Sequence, residues 1–405
     1  MIKYPKLRWP LDTQFQKIND QEVLILRCPL AIGTPLFLKA ALAPILASFD
    51  GKTSLEEIVN KFSQYGITPS FISEILQILD NALLLDNEKF HEADLRRRKE
   101  FHESPIRKAA LAGAVYPESK KALQETLDKY LSYGASEKTD QNLIALLAPH
   151  IDYARGGKCY GITYNRLRPQ EHDLYIILGI CHAYSPHAFH LCNKGFETPL
   201  GTQACDHEFI ERLAKRYGEE LAFSDEILHS TEHSIELQIP FISRLHPKTP
   251  LVPILTGSFH YALTQGFADQ VLTHYDAFVA ALALCLQEEI SKGKKICIIA
   301  AVDMSHIGQN FGDTAALTPN FLQDIAHYDA QYLDAIYNQD KSALLEHIKK
   351  YDEMCRICGF PAVYTTLDLL DRLNIKTSGE VLSYDQAVDY KTDCAVTFAG
   401  MALYA

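Results

Sequence analysis

The sequence has neither a long hydrophobic run nor a surplus of positive charge. No uninterrupted apolar stretch reaches the roughly 18 residues that a membrane-spanning helix requires. Lysine and arginine total 39 against 51 aspartates and glutamates, which gives a formal net charge of -12. Nucleic acids and anionic membranes both attract basic surfaces, so this balance argues against either partner. We therefore expect a protein that binds neither nucleic acid nor membrane.

The cysteines lack the context of a disulfide framework. The first residues have no apolar segment of the kind found in a secretory signal peptide. Without that signal, ten cysteines in 405 residues indicate reduced thiols in the cytoplasm. Cys355 and Cys358 form a Cys-x-x-Cys pair, but there is no second pair to complete a four-cysteine zinc site. We predict a cytoplasmic protein whose cysteines are mostly small buried side chains.

The first hundred residues have the pattern of a separate unit. Ser54 and Glu57 have the spacing of a capping box, in which each side chain bonds the other residue's backbone at a helix start. Small helices with a hairpin predict a winged-helix-like module over residues 1–105. The predicted elements are helices at 36–49, from 54 onward and at 69–81, a hairpin at 82–90 and a charged segment at 93–102.

Strand and helix patterns alternate from residue 106 to residue 405. This alternation predicts an α/β domain with a mostly parallel sheet sandwiched by helices. The last two strands can add antiparallel, so we expect a mixed sheet. Strands are predicted at 143–149, 174–180, 251–256, 295–303, 379–386 and 394–404, and helices at 118–133, 157–166, 206–217, 233–245, 264–291, 319–350 and 360–373.

Three of these apolar runs lead directly into a histidine. His150, His182 and His306 each follow a run rich in Ile, Leu and Val. Such runs are typical of parallel strands buried on both faces. Ligands of open α/β sheets bind beyond the carboxyl ends of the strands. The sequence therefore predicts that these imidazoles meet at one sheet edge, as a metal or acid–base site.

Two groups of titratable residues accompany the histidines. Asp303 precedes His306 by three residues, and a histidine oriented by a carboxylate is a good general base near neutral pH. Alternatively, Asp303 only holds the following loop. Glu236 and His233 lie near the start of a predicted helix and suggest an active-site wall, although an acidic helix start is common without one. The predicted catalytic residues are His306, Asp303, Glu236 and His233.

A cysteine is the natural third donor for a metal. Cys358 directly precedes Gly359 and a predicted helix start, where the helix dipole lowers the pKa of a thiol. His150, His182 and Cys358 would resemble the facial triad of non-haem iron proteins, with sulfur replacing the carboxylate. Sulfur favours iron, copper or zinc, and spacing does not choose among them. A metal-free hydrolase with Cys358 as nucleophile and His306 as base is the remaining alternative.

Six short motifs together carry a family resemblance. They are AGAVY at 112–116, APH at 148–150, LGICH at 178–182, EHSIE at 232–236, VDMSH at 302–306 and CGFP at 358–361. In order and approximate spacing they resemble the Memo-like family, also called the AmmeMemoRadiSam system protein B group. The resemblance covers residues 108–405. It implies a fold similar to the class III extradiol dioxygenases, metal ligands at His150, His182 and Cys358, and a base at His306.

The resemblance also extends to the first unit and to function. Residues 49–58 and 79–86 resemble the extension of bacterial Memo-like proteins and, more distantly, the peptide-binding winged helix of pyrroloquinoline quinone biosynthesis. The family implies a metal-dependent redox or oxygenase-type enzyme on an unidentified small molecule or protein, with iron expected and copper or zinc as alternatives. A radical S-adenosylmethionine protein is the implied partner. The alternative is a binding or scaffold protein of that system without chemistry of its own.

Overall fold

The structure of the protein, a computed structural model, describes residues 2–19, 21–134, 141–265 and 269–405. The chain divides into two compact units, Met1–Ser104 and Pro105–Ala405. Each helix within the described ranges is too short or too polar to cross a bilayer.

The described part of the first unit contains a three-stranded antiparallel sheet followed by helices. Strand β2 is central and pairs with both β1 and β3. The predicted capping box is confirmed, since Ser54 and Glu57 bond each other's backbone at the start of α2. The elements are β1 (Asp12–Ile18), β2 (Gln21–Arg27), β3 (Leu36–Lys39), α1 (Ala43–Leu46), α2 (Leu55–Phe62), α3 (Pro69–Asn81) and α4 (Glu88–Glu103).

Two predicted elements of this unit are wrong. The helix predicted at 36–49 begins as strand β3, because Leu38 pairs with Leu24 of β2 and contributes to an apolar sheet face. The hairpin predicted at 82–90 is absent among the described residues, because the side chain of Asn87 caps helix α4 by accepting from the Phe90 amide. The strands β1 and β2 were not predicted, and the winged-helix-like description stays a prediction.

The second unit is built on a mixed sheet, which confirms the predicted α/β fold. In the described chain it has eight strands in the order β12-β14-β5-β11-β6-β10-β7, with β13 beside β14. The central strands β5, β11, β6 and β10 are parallel, and the outer strands pair antiparallel. Three further strands, β4, β8 and β9, lie outside this sheet. The strands of the unit are β4 (Ile106–Arg107), β5 (Leu143–Ala148), β6 (Leu174–Ile180), β7 (Phe189–Leu191), β8 (Gly195–Thr198), β9 (Gly201–Gln203), β10 (Leu251–Thr256), β11 (Ile296–Ala301), β12 (His306–Ile307), β13 (Ser378–Asp389) and β14 (Cys394–Tyr404).

Helices cover this sheet. Helix α6 packs on β5, β13 and β14, and α15 packs on β6 and β11. The helix predicted at 233–245 is two helices, because Pro240 has no N–H to donate to residue 236 and its ring crowds that carbonyl. The helices are α5 (Lys120–Leu131), α6 (Tyr153–Tyr164), α7 (His207–Tyr217), α8 (Glu219–Phe223), α9 (His233–Glu236), α10 (Ile239–Leu245), α11 (His260–Gln265), α12 (Asp269–Ser291), α13 (Pro319–Tyr337), α14 (Lys341–Cys355) and α15 (Phe360–Arg372).

Other boundaries differ from prediction in similar ways. The helix predicted at 319–350 is divided into α13 and α14, because the side chain of Asp340 caps a new helix by accepting from the Ala343 amide. Residues 266–268 of the helix predicted at 264–291 lie outside the described residues, and α12 supplies the rest.

The parallel strands bring their carboxyl ends to one edge of the sheet. All seven residues of β6 are buried, which explains why its sequence is apolar throughout. Ala301 at the end of β11 pairs with Ala148 at the end of β5, and β6 runs beside them in the same direction. The loops that carry His150 and His182 therefore begin at the same edge, as predicted.

A buried arginine fastens the start of this unit to the loop before α9. Arg107 is fully buried, and its guanidinium forms an ion pair with Glu236. Its Nε donates to the carbonyl of His229 at 2.8 Å and its Nη2 to the carbonyl of Glu232 at 2.9 Å. A buried arginine needs this complete set of partners, because an unpaired charge in the protein interior is costly.

The same glutamate holds the segment that follows Arg107. Glu236 accepts hydrogen bonds from the amides of Ala110 at 3.1 Å and Leu111 at 2.8 Å, and from the hydroxyl of Tyr116 at 2.6 Å. Each carboxylate oxygen thus has two donors, counting the Arg107 guanidinium. The AGAVY motif is anchored to α9 through this one carboxylate.

Loss of this anchor should be costly for stability. We expect Glu236→Ala to lower the free energy of unfolding by about 3–5 kcal/mol, because it leaves the Arg107 charge buried and unpaired. The matched control is Glu197→Ala, which removes the half-buried partner of the exposed Lys108 and a long hydrogen bond from the Ala109 amide, and should cost about 1 kcal/mol.

Urea unfolding followed by circular dichroism measures both variants. The single tryptophan, Trp9, lies in the first unit, so its fluorescence reports that unit separately and should be unchanged. Equal losses for the two variants would show that the buried pair has no special importance.

Candidate metal centre

Three imidazoles converge at the carboxyl edge of the sheet. His150, His182 and His233 each offer one ring nitrogen, and these atoms lie within 4.8 Å of one another. The ring centroids are 5.1 Å apart for His150 and His182, 5.2 Å for His150 and His233, and 4.6 Å for His182 and His233. His150 is buried, His233 is half-buried and His182 is exposed, so the cluster opens to solvent on one side.

His150 is held from both its backbone and its ring. Its Nδ1 lies 2.9 Å from the carbonyl oxygen of Ala301, and since a carbonyl only accepts, Nδ1 carries the proton. Its Nε2 therefore keeps a lone pair for a metal. Burial, followed by the neighbouring imidazoles, places the pKa of His150 well below the ordinary value, so the ring is neutral at pH 7. Gln238 holds the same loop by donating to the Pro149 carbonyl at 3.0 Å.

One carboxylate orients the other two imidazoles. Glu232 lies 3.0 Å from Nδ1 of His182 and 3.1 Å from Nδ1 of His233. It also accepts from the backbone amides of both residues, at 2.9 Å and 2.8 Å. Burial acts to raise the pKa of Glu232, but the charges of His182 and His233 outweigh it and hold the pKa well below the usual range. Glu232 is thus an anionic acceptor that leaves Nε2 of both rings for a ligand.

The approach of α9 to β6 brings Glu232 and His233 beside His182. A Cβ atom on Gly179 would lie 2.5 Å from Cγ1 of Ile235 and 2.7 Å from Oγ of Ser234, so only glycine permits this contact. The Ser234 hydroxyl also donates to the Ile180 carbonyl and accepts from its amide, both at 3.0 Å. These contacts fix the loop after β6 to the start of α9.

Cys358 reaches the same nitrogen of His150. Its Sγ lies 3.3 Å from His150 Nε2, although Cys358 is not one of the three mutually close donors. Gly359 allows this approach, because a Cβ there would lie 2.5 Å from the carbonyl oxygen of Asp303. The expected lowering of the thiol pKa by a helix dipole is wrong: burial, assisted by the charge of Asp303, raises the pKa of Cys358 well above its usual value. Cys355, the other member of the pair, is fully buried.

Asp303 lies in the loop that follows β11, and His306 begins β12 after that loop. His306, predicted to meet His150 and His182, is not one of the three mutually close donors. Asp303 accepts from the backbone amides of His150 at 2.9 Å and Ile151 at 3.2 Å, so it holds the His150 loop. Its Oδ2 is 3.7 Å from His150 Nε2. Nδ1 of His306 lies 3.0 Å from the Met304 carbonyl, and burial lowers the pKa of His306 to about 4. His306 is therefore neutral at pH 7, with its proton on Nδ1 and a lone pair on Nε2.

The structure does not bring the carboxylate of Glu236 into the imidazole cluster. Both of its oxygens serve the Arg107 and Tyr116 network, and its connection to the cluster runs through Arg107, which binds the Glu232 carbonyl. The sequence also gave no sign of Arg107, because its partner is 129 residues away. Glu232 belongs to the EHSIE segment predicted to form an active-site wall, but its role in bridging His182 and His233 was not predicted.

The three imidazoles could hold a metal ion. Metal-binding histidines characteristically donate their second ring nitrogen to a carbonyl or carboxylate, and all three imidazoles here do so. Nitrogens about 2.1 Å from one ion lie at most roughly 4.2 Å apart. The observed nitrogens, which lie within 4.8 Å of one another, are close to that spacing.

Comparison with known proteins identifies the family of the chain. A family model described as Memo-like protein matches residues 107–402. A MEMO1 family protein of Aquifex aeolicus is 25% identical over 403 residues, which is 99% of this chain and 100% of the relative. Those of Archaeoglobus fulgidus and Methanobrevibacter smithii are 27% and 28% identical over 70% and 71% of this chain, and 97% and 95% of their own lengths. Since the family model matches most of the chain, the protein belongs to the Memo-like family.

Proposed function

We propose that this protein is a metal-dependent redox enzyme of the oxygenase type, acting on an unidentified small molecule or protein side chain. The observation that carries the proposal is the convergence of His150, His182 and His233, each with Nδ1 fixed by an acceptor, next to the thiol of Cys358. Imidazole and thiolate together suit iron, copper and zinc. Iron is our first choice, with copper or zinc as alternatives.

In this proposal His150, His182 and Cys358 bind the ion. A thiolate supplies the negative charge that a dication needs, which a third neutral imidazole does not. Metal–nitrogen and metal–sulfur distances of about 2.1 and 2.3 Å in tetrahedral geometry separate the two donors by roughly 3.6 Å. The observed 3.3 Å between Sγ of Cys358 and Nε2 of His150 is close to that value. The ion would also stabilise the thiolate against the effect of burial.

The remaining residues would position groups and move protons. A bound transition ion supplies Lewis acidity and, for iron or copper, one-electron chemistry. Burial lowers the pKa of His233, but Glu232 more than compensates and the net shift is upward, which suits a proton donor. His306, neutral with a lone pair on Nε2, suits a proton acceptor. Asp303 keeps the His150 loop in place, and Glu236 acts only through Arg107.

The thiols are consistent with a reducing compartment. Each of the ten cysteines, all of which the structure describes, is a free thiol. We therefore keep the cytoplasm as the proposed location.

Metal content tests the ligand assignment. We expect the purified protein to contain near-stoichiometric iron, copper or zinc by mass spectrometry, identified further by anomalous scattering at each metal edge. His150→Ala, His182→Ala and Cys358→Ala should each remove most of the ion, because each deletes a ligand. His233→Ala should retain it and lose turnover.

Cys355→Ala is the matched control for the sulfur, since Cys355 belongs to the same Cys-x-x-Cys pair but is buried elsewhere. Retention of metal in Cys358→Ala with depletion in His233→Ala would replace the proposed set by three imidazoles. Full retention in all the ligand variants would refute a metal centre here.

The carboxylate behind the imidazoles should set the metal affinity. We expect Glu232→Gln to weaken metal binding by about 10–100-fold, because a neutral amide of similar size holds the His182 and His233 rings less firmly. Competition with a chromophoric chelator measures this. The control is Glu226→Gln, which changes another largely buried glutamate, one that accepts from the Asn193 amide instead. An unchanged affinity in Glu232→Gln would contradict the role of the carboxylate.

Oxygen uptake distinguishes the enzyme from the alternative. The metal-loaded protein should consume oxygen with at least one member of a panel of catechols, thiols and protein substrates. Metal binding without oxygen consumption across that panel, together with capture of a radical S-adenosylmethionine protein, would favour the scaffold function. Capture that persists without residues 1–105 would exclude the first unit as the recognition element.

A further inference from the structure

A cavity of about 210 Å³ lies at the opposite end of the sheet from the metal centre. Leu143 and Ile296, the first residues of β5 and β11, line it. Each strand has six residues, so at about 3.3 Å per residue the cavity is roughly 17 Å or more from the imidazoles at the other end. The cavity is therefore a separate place on the molecule.

The interior of the cavity is apolar. Ile144 of β5, Leu286 of α12 and Ile298 of β11 contribute to its walls, with further leucine and isoleucine side chains around them. Sites for drug-sized ligands usually exceed about 300 Å³. The volume and the lining therefore suit a smaller molecule with an apolar body.

The charged residues that line the cavity are positive. Lys294 and Lys295 line the cavity, and none of the described residues that line it carries a carboxylate. The nearby Glu289 pairs with Lys294 at 2.6 Å, but the same carboxylate also pairs with Lys292 at 2.8 Å and Arg212 at 2.6 Å. Glu289 is thus shared by three cations, of which Arg212 also pairs with Glu288 at 3.3 Å, so Lys294 does not hold this carboxylate alone.

Asp206 and Asp173 are the other acidic groups near Lys294. Asp206 caps the start of helix α7, and the carboxylate of Asp173 accepts from the Lys295 amide at 2.8 Å. Lys294 and Lys295 thus remain the charged side chains of the lining itself.

A buried histidine in the lining has one ring nitrogen without a partner. His172 is 8% exposed, and its Nε2 lies 3.0 Å from the Leu143 carbonyl and therefore carries the proton. Its Nδ1 is buried and has no hydrogen-bond partner in the described part of the chain. A buried polar atom of this kind often marks the place of a water molecule. Because this Nδ1 carries a lone pair, its partner must be a donor and not the carboxylate of a ligand.

We propose that this cavity binds a small monocarboxylate, with its aliphatic or aromatic body against Ile144, Leu286 and Ile298 and its carboxylate facing Lys294 and Lys295. The proposal stands independently of the metal centre.

Calorimetric titration of the full-length protein with octanoate, and with octanamide as the neutral analogue, tests this proposal. We expect saturable 1:1 binding of octanoate and at least about fivefold weaker binding of octanamide. Lys295→Gln should weaken octanoate binding about threefold to fivefold, and Lys376→Gln, an exposed lysine beyond the lining, should not. Ile290→Trp, at a lining position of α12 that is 42% exposed, should obstruct the cavity and abolish binding.

Three results would overturn the proposal. Equal binding of octanoate and octanamide would show that the lysines do not recognise an anion. Unchanged octanoate binding in Ile290→Trp, or no saturable binding at all, would show that the cavity is not the site. Loss of binding in His182→Ala would assign the carboxylate to the metal centre instead, whereas retention there supports a separate site. Circular dichroism confirms that each variant is folded.

Discussion

The candidate site depends on one shared carboxylate. Glu232 accepts from the backbone and from Nδ1 of both His182 and His233, so a single anion sets the orientation of two imidazoles. A buried carboxylate is stable as an anion only when its surroundings compensate its desolvation, and the two imidazoles do so. Its own backbone is held by Arg107, whose charge is balanced by Glu236. The buried Arg107–Glu236 ion pair therefore positions the backbone of Glu232, and the carboxylate of Glu232 in turn orients the ring nitrogens of the cluster.

The parallel sheet gives the molecule two different ends. At the carboxyl ends of β5, β6 and β11, polar loops carry imidazoles and a thiol into a cluster that is open to solvent. At the amino ends of β5 and β11, an apolar cavity has a cationic lining. The strands between the two ends are buried and apolar, so they separate the polar groups at one end from those at the other. This separation follows from the direction shared by parallel strands.

Sequence patterns predicted the bounds of the central strands closely and predicted the edge strands poorly. The runs at 174–180 and 251–256 coincide with β6 and β10, because a strand covered on both faces must be apolar throughout. Strand β1, DTQFQKI, is a polar edge strand, and its pairing with β2 rather than its composition makes it a strand. Within the site, His150, His182 and Cys358 were predicted as ligands from their positions at element ends, and the mutually close donors are His150, His182 and His233. His233 was predicted to be catalytic, and only the fold shows that its ring lies as close to His150 as that of His182 does.

From the sequence one could predict the α/β class and the sheet edge that carries His150 and His182. Both follow from local rules, since strand periodicity and the direction of successive strands depend on residues close together in the chain. Only the folded chain shows that His233 joins the cluster, that Glu232 bridges two rings, that Arg107 pairs with a residue 129 positions away, and that burial raises the pKa of the Cys358 thiol. Such contacts and pKa shifts depend on distance and burial in the folded chain, and neither quantity is encoded in local spacing.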